Sequence, residues 1–120
     1  MSSFSQLESE ICEAFIKFQR ELTGRGPEET KAYIVRDMII LRSKGVLTKQ
    51  EMHVAATRRG RSLVKQMRQE LRETYLEKVE GIITSIVGCR VVSSHGDISI
   101  RTGDALEVFI MDCDLHRKFK

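Results

Sequence analysis

The chain has 120 residues, 41% hydrophobic and 31% charged, and a formal net charge of +3 from 20 basic and 17 acidic side chains. That size suits one domain with a modest core, the apolar fraction excludes intrinsic disorder, and no run of about eighteen uncharged apolar residues exists to span a bilayer. The first eight residues, Met1 to Glu8, have neither the basic start nor the apolar run of a signal peptide, so a cytoplasmic protein is expected.

The first predicted element is an amphipathic helix from about Ser5 to Thr23, with Leu7, Ile11, Phe15, Phe18 and Leu22 spaced along one stripe. Ser5 and Glu8 have the spacing of a capping box, and Gly24 stands where a glycine would end the helix, before Gly26-Pro27. Residues Thr30 to Arg42 are rich in β-branched and apolar side chains and read as two strands reversing at Arg36-Asp37; a buried thirteen-residue helix is the alternative.

Thr48 and Glu51 form a second capping-box pattern, and the helical pattern then continues without a proline to Val87. Its apolar stripe is Met52, Ala55/Ala56, Leu63, Met67, Leu71, Tyr75, Val79, Ile82/Ile83 and Ile86, interrupted only by Gly60. A short helix to about Thr57 running almost continuously into a long one is expected, with a hinge near Arg59-Gly60 as the alternative. Strands are predicted from Cys89 to Ser94 and from Leu106 to Met111, with turns at His95-Gly96-Asp97 and Thr102-Gly103-Asp104 and a short bridge or strand at Ile98-Ser99-Ile100. The later strand is apolar on both faces apart from Glu107. Residues 113–120 read as a polar, frayed tail after a core of about 5–112.

The order α-β-β-α(long)-β-β implies an α+β two-layer sandwich in one domain: a mostly antiparallel four-stranded sheet with helices on one face. A forty-residue helix would measure about 60 Å and outreach a domain of this size. Its uncovered stripe therefore predicts a homodimer formed through the long helix, 48–87.

Chemistry-bearing patterns are few. Arg58, Arg61, Lys65, Arg68 and Arg72 make a basic stripe, and Glu70, Glu73, Glu77 and Glu80 a separate acidic one, with no acid three or four positions from a base. Such segregation marks partner-binding candidates: another subunit, an acidic protein surface or phosphates. A merely solvated face is the plainer explanation. Gly24, Arg25 and Gly26 are anion-binding candidates, since two glycines let amides converge and Arg25 can close over an oxyanion; a helix cap followed by a turn is the plainer explanation and needs no ligand.

Cys12, Cys89 and Cys113 are odd in number and include no C-x-x-C pair, so reduced thiols are expected and neither a disulfide framework nor a zinc site. Asp112, Cys113, Asp114 and His116, with His95 and Cys89, have ligand chemistry but no strong ligand spacing, and no metal site or other cofactor is expected. No nucleophile elbow or dinucleotide loop is present, so no catalytic residue is named and no enzyme is expected.

Gly24-Arg25-Gly26-Pro27 before a hairpin, then Gly45-Val46-Leu47-Thr48-Lys49-Gln50-Glu51 and Gly60-Arg61-Ser62-Leu63-Val64-Lys65-Gln66-Met67-Arg68, resemble the MpsC-type domain family. Val79-Glu80, Val87-Gly88-Cys89-Arg90-Val91, Asp97-Ile98 and Val108-Phe109 continue the likeness, which covers roughly residues 7–112. The resemblance implies a small cytoplasmic accessory component of a sodium-translocating, membrane-potential-generating system linked to inorganic-carbon uptake. It supplies no catalytic residues. Three functions follow: an interaction domain contacting a membrane transporter component without inserting in the membrane, a bicarbonate- or phosphate-binding domain at Gly24-Arg25-Gly26, or nucleic-acid binding through the basic stripe. The last lacks any accompanying recognition motif.

Overall fold

The protein is described from a computed structural model over residues 3–119. Its elements are α1 (Ser3–Thr23), β1 (Glu29–Val35), β2 (Met38–Lys44), α2 (Lys49–Val54), α3 (Arg58–Val87), β3 (Val91–Ile98), β4 (Ala105–Met111) and α4 (Leu115–Lys118). The four strands form one antiparallel sheet in the order β1-β2-β4-β3. Helices α1 and α3 pack on each other and on the sheet, giving the expected α+β sandwich.

Helix α1 buries Leu7, Ile11 and Phe15, the first half of its predicted stripe. It begins at Ser3, so Ser5 lies inside the first turn instead of capping it. The Glu8 carboxylate serves the sheet: it accepts a hydrogen bond of 2.9 Å from the Ile34 amide. The hairpin reverses at Arg36-Asp37 as expected, with Arg36 at φ 59°.

Thr48 and Glu51 do form the capping box of α2. As expected, a short helix precedes a long one between 48 and 87, and the break falls at Thr57, which takes an extended conformation and caps α3 by accepting from the Gly60 amide. Gly60 is required there: a Cβ would stand 1.5 Å from the Val54 carbonyl oxygen, so only glycine lets α2 end against the first turn of α3. The single forty-residue helix that motivated helix-mediated dimerisation is therefore absent.

The predicted α3 stripe also needs correction. Its members repeat every four residues from Leu63 to Val79, and each step advances about 400°, so the stripe drifts about 40° per step around the helix. Leu63 and Met67 end up about half exposed, while Val64, Val79, Ile83 and Val87 face inward.

Two further expectations fail near the C-terminus. His95-Gly96-Asp97 is not a turn but the interior of β3, because Gly96 opposes Glu107 and leaves room for its carboxylate; a Cβ at 96 would come within 2.3 Å of it. The reversal lies at residues 99–104, which include the expected turn at Thr102-Gly103-Asp104. Nor is 113–119 frayed: Asp114 caps α4, Leu115 is fully buried, and Cys113 is joined to Cys89 in a disulfide. The disulfide overturns the expectation of reduced thiols for Cys89 and Cys113: they are far apart in sequence, but the β3–β4 hairpin brings their backbones to a Cα separation of 6.2 Å.

Candidate functional site

The C-terminal end of the basic stripe, Arg68 and Arg72, folds inward. Arg68 donates from Nε to Glu51 Oε2 at 2.7 Å and from Nη2 to the Val46 carbonyl at 2.6 Å, with a further bond to Glu51 Oε1. Its side chain is 16% exposed and that of Glu51 10%. Burial pushes the Glu51 carboxyl up, but Arg68 and the Thr48 amide outweigh it and hold the group below its ordinary range.

One turn further on, Arg72 Nε meets Glu107 Oε1 at 2.6 Å over the sheet. Burial pushes the Glu107 carboxyl up, and Arg72 offsets only part of that. Arg72 Nη2 and Glu107 Oε2 are both buried without a hydrogen-bond partner. Lys65 reaches Asp97 at 3.5 Å, Arg61 reaches the Ala55 carbonyl at 3.4 Å, and Arg58 is exposed at the start of α3. Two of the five partner-binding candidates, Arg68 and Arg72, are thus engaged inside the chain and present no surface charge to a partner. The missing intrahelical acids are replaced by Glu51 from α2, Asp97 from β3 and Glu107 from β4.

These groups surround a cleft between α1 and α3 of about 130 Å³. Phe15, Phe18 and Leu22 line it from α1, Leu71, Tyr75 and Leu76 from α3, and Phe109 and Ile98 from the sheet. Arg25, Gly26, Lys65, Arg68 and Arg72 also line it, so the structure unites the two sets of site candidates that the sequence kept apart. Gly24 ends α1 with φ 81° and donates to the Arg20 carbonyl. Arg25 donates to the Leu47 and Gly45 carbonyls at 3.0 and 3.2 Å, tying the helix end to the β2–α2 loop. Those bonds hold its guanidinium in place without neutralising its charge.

Sequence reasoning treated Glu51 only as a cap and gave Gly96 to a turn. The available signal was Glu107, the one charge in an otherwise apolar strand. Among the ligand-type residues, Cys89, Asp112 and Cys113 come within 4.8 Å of one another, but with both sulfurs joined they offer no thiolate. His116 lies against the Ile34 carbonyl and His95 faces the other side of the sheet, so the histidines do not join them.

The opposite face of the sheet is bare. Its register sets three rows across β1-β2-β4-β3: Lys31, Arg42, Leu106 and Asp97; Tyr33, Ile40, Val108 and His95; Val35, Met38, Ile110 and Ser93. Tyr33, Val35 and Leu106 are 43–46% exposed, and no described element covers them. An antiparallel sheet with one face in water ordinarily alternates apolar with polar; here the outer face is apolar at its centre.

Comparison with known proteins agrees with the sequence resemblance. Residues 3–113 match the family described as "Na+-translocating membrane potential-generating system (MpsC)". The chain is 38% identical over 118 residues to the uncharacterized protein YbcI of Bacillus subtilis strain 168, covering 98% of this chain and 95% of that protein. It is 30% identical over 97 residues to the uncharacterized protein YrhF of the same organism, covering 80% of each. No solved structure matches. Among the described residues, no helix is long and apolar enough to cross a membrane.

Proposed function

Because the chain belongs to the MpsC family, we propose that it is a non-catalytic, cytoplasmic accessory domain of a sodium-translocating system, acting as a homodimer joined through the bare face of its sheet. The observation that carries this reading is the apolar centre of that face, Tyr33, Val35, Met38, Ile40, Leu106, Val108 and Ile110, on the side away from the helices. A second copy fits its chemistry. A twofold axis parallel to the strands sets β1 of one copy over β3 of the other, bringing Lys31 opposite Asp97 of the second copy and apolar rows onto apolar rows. The Lys31 and Asp97 side chains are 61% and 69% exposed, and each already has a partner in its own chain, Glu29 for Lys31 and Lys65 for Asp97, so the contact between copies would be a second one for each.

Four strands about 4.8 Å apart and about six residues long give a footprint of roughly 400 Å² per copy. That lies at the small end for specific interfaces, so a micromolar dimer is expected. Helix-mediated pairing, the competing arrangement, would use Leu63 and Met67.

Sedimentation at about 100 µM distinguishes them. Wild type should run at twice 13.8 kDa, Tyr33→Asp/Leu106→Lys as a folded monomer, and Leu63→Lys/Met67→Lys as a dimer. A monomeric wild type, or a sheet-face variant that still dimerises, overturns the proposal.

A further inference from the structure

We propose that the cleft between α1 and α3 is a binding site for a monoanionic amphiphile, a short-chain carboxylic acid with the bulk of hexanoate to octanoate. The size argument comes first. About 130 Å³ is close to the roughly 150 Å³ apolar cavity that admits benzene, so the cleft suits a small hydrophobic body and is too small for a helix or a nucleotide. The walls are aromatic and aliphatic, led by Phe15, Phe18, Leu71 and Tyr75.

The polar groups then specify the head. The cluster holds four cations, Arg25, Lys65, Arg68 and Arg72, and three carboxylates each take one of them: Asp97 with Lys65, Glu51 with Arg68, Glu107 with Arg72. Arg25 is the cation left over, held only by neutral carbonyls. One excess positive charge at an apolar cleft is complementary to one negative charge on an apolar body. A dianion would bring one charge more than the cluster can match, and a neutral alcohol would gain nothing from the Arg25 charge, which stands exposed at the cleft. Fold stability alone does not account for this cluster, since well-packed apolar residues would fill the space at no greater cost than buried ion pairs. The sheet-face dimer uses the opposite side of the sheet and shares only Asp97 with this cluster, where Asp97 pairs with Lys65 of its own chain.

The test is thermal stability and calorimetry with the intact chain, titrated with sodium octanoate, hexanol, acetate and inorganic phosphate at constant ionic strength. Octanoate should raise the melting temperature in a saturable way, about 2.7 kcal/mol of stabilisation corresponding to a hundredfold excess over Kd. Hexanol, acetate and phosphate should each bind at least tenfold more weakly. Leu71→Trp, which fills the cleft, should abolish octanoate binding. Arg25→Gln should weaken it about tenfold, and Arg25→Lys, which keeps the charge, should restore most of it. No octanoate response in wild type, equal binding of hexanol, or unchanged binding in a folded Leu71→Trp variant would each overturn the assignment.

Discussion

Replacing Arg68 by Met tests whether the basic stripe is internal. Arg68 makes three hydrogen bonds, two to Glu51 and one to the Val46 carbonyl, and both side chains of the ion pair are at most 16% exposed. Removing one partner of such a pair leaves a buried charge and costs about 3–5 kcal/mol, whereas an exposed pair is worth about 0.2–1 kcal/mol. Arg68→Met should therefore lower the melting temperature by roughly 10–20 °C for a domain of this length. Glu51→Gln keeps the capping-box geometry while removing the charge, so it isolates the ion pair from the cap. The double variant should cost clearly less than the two single costs added, with a coupling of about 2 kcal/mol in a urea-denaturation cycle. A cost below about 1 kcal/mol, or additive single effects, would refute the buried pair and return Arg68 to the surface.

Gly60→Ala should destabilise by more than about 3 kcal/mol because of the contact with the Val54 carbonyl. Gly81→Ala, with nothing within 4 Å of the added Cβ, should stabilise α3 by about 0.8–1 kcal/mol; equal effects at the two sites would refute the packing account. The two carboxylates should show opposite pH dependences in chemical denaturation. Glu51 is lowered from 4.5, so its contribution is present above that value and lost as pH falls through its folded value; Glu51→Gln should flatten the acid limb. Glu107 is raised from 4.5, so wild type should gain stability relative to Glu107→Gln as pH falls from neutral through its folded value, and an opposite sign would refute its burial. Reduction of Cys89–Cys113, which spans 24 residues, should cost about 3 kcal/mol in stability by loop closure. The same loss in a Cys113→Ser variant, with no further effect of reductant, completes that check.

How much of this was legible follows from which interactions are local. The α1 stripe, the Arg36-Asp37 reversal and the Thr48–Glu51 box are encoded within a few residues, and all three were readable. The Ser5–Glu8 box matched the same pattern and failed, because the Ile34 amide, 26 residues away, takes the Glu8 carboxylate. Gly96 looked like turn chemistry because nothing nearby in sequence announces that Glu107 needs the space. The disulfide and the Leu115 anchor likewise depend on the β3–β4 hairpin closing. The doubly apolar β4 was also legible, whereas the break between α2 and α3 rests on Thr57 turning extended and on the close approach of Gly60 to the Val54 carbonyl, a packing contact that the residue pattern does not announce.

The inward arginines explain both the failed stripe and the cleft. Along α3 the inner face carries Arg68 and Arg72 where a core position would ordinarily hold a branched aliphatic, and below them Val79, Ile83 and Val87 restore ordinary packing. Long side chains bridging to Glu51 and Glu107 occupy the gap between helix and sheet incompletely, and the void opens at the level where they stand. Short apolar residues there would let α3 close onto β4 and erase it. The drift of about 40° per step in the four-residue apolar repeat permits this arrangement, because it moves Leu63 and Met67 off the inner face and leaves that face to the two arginines.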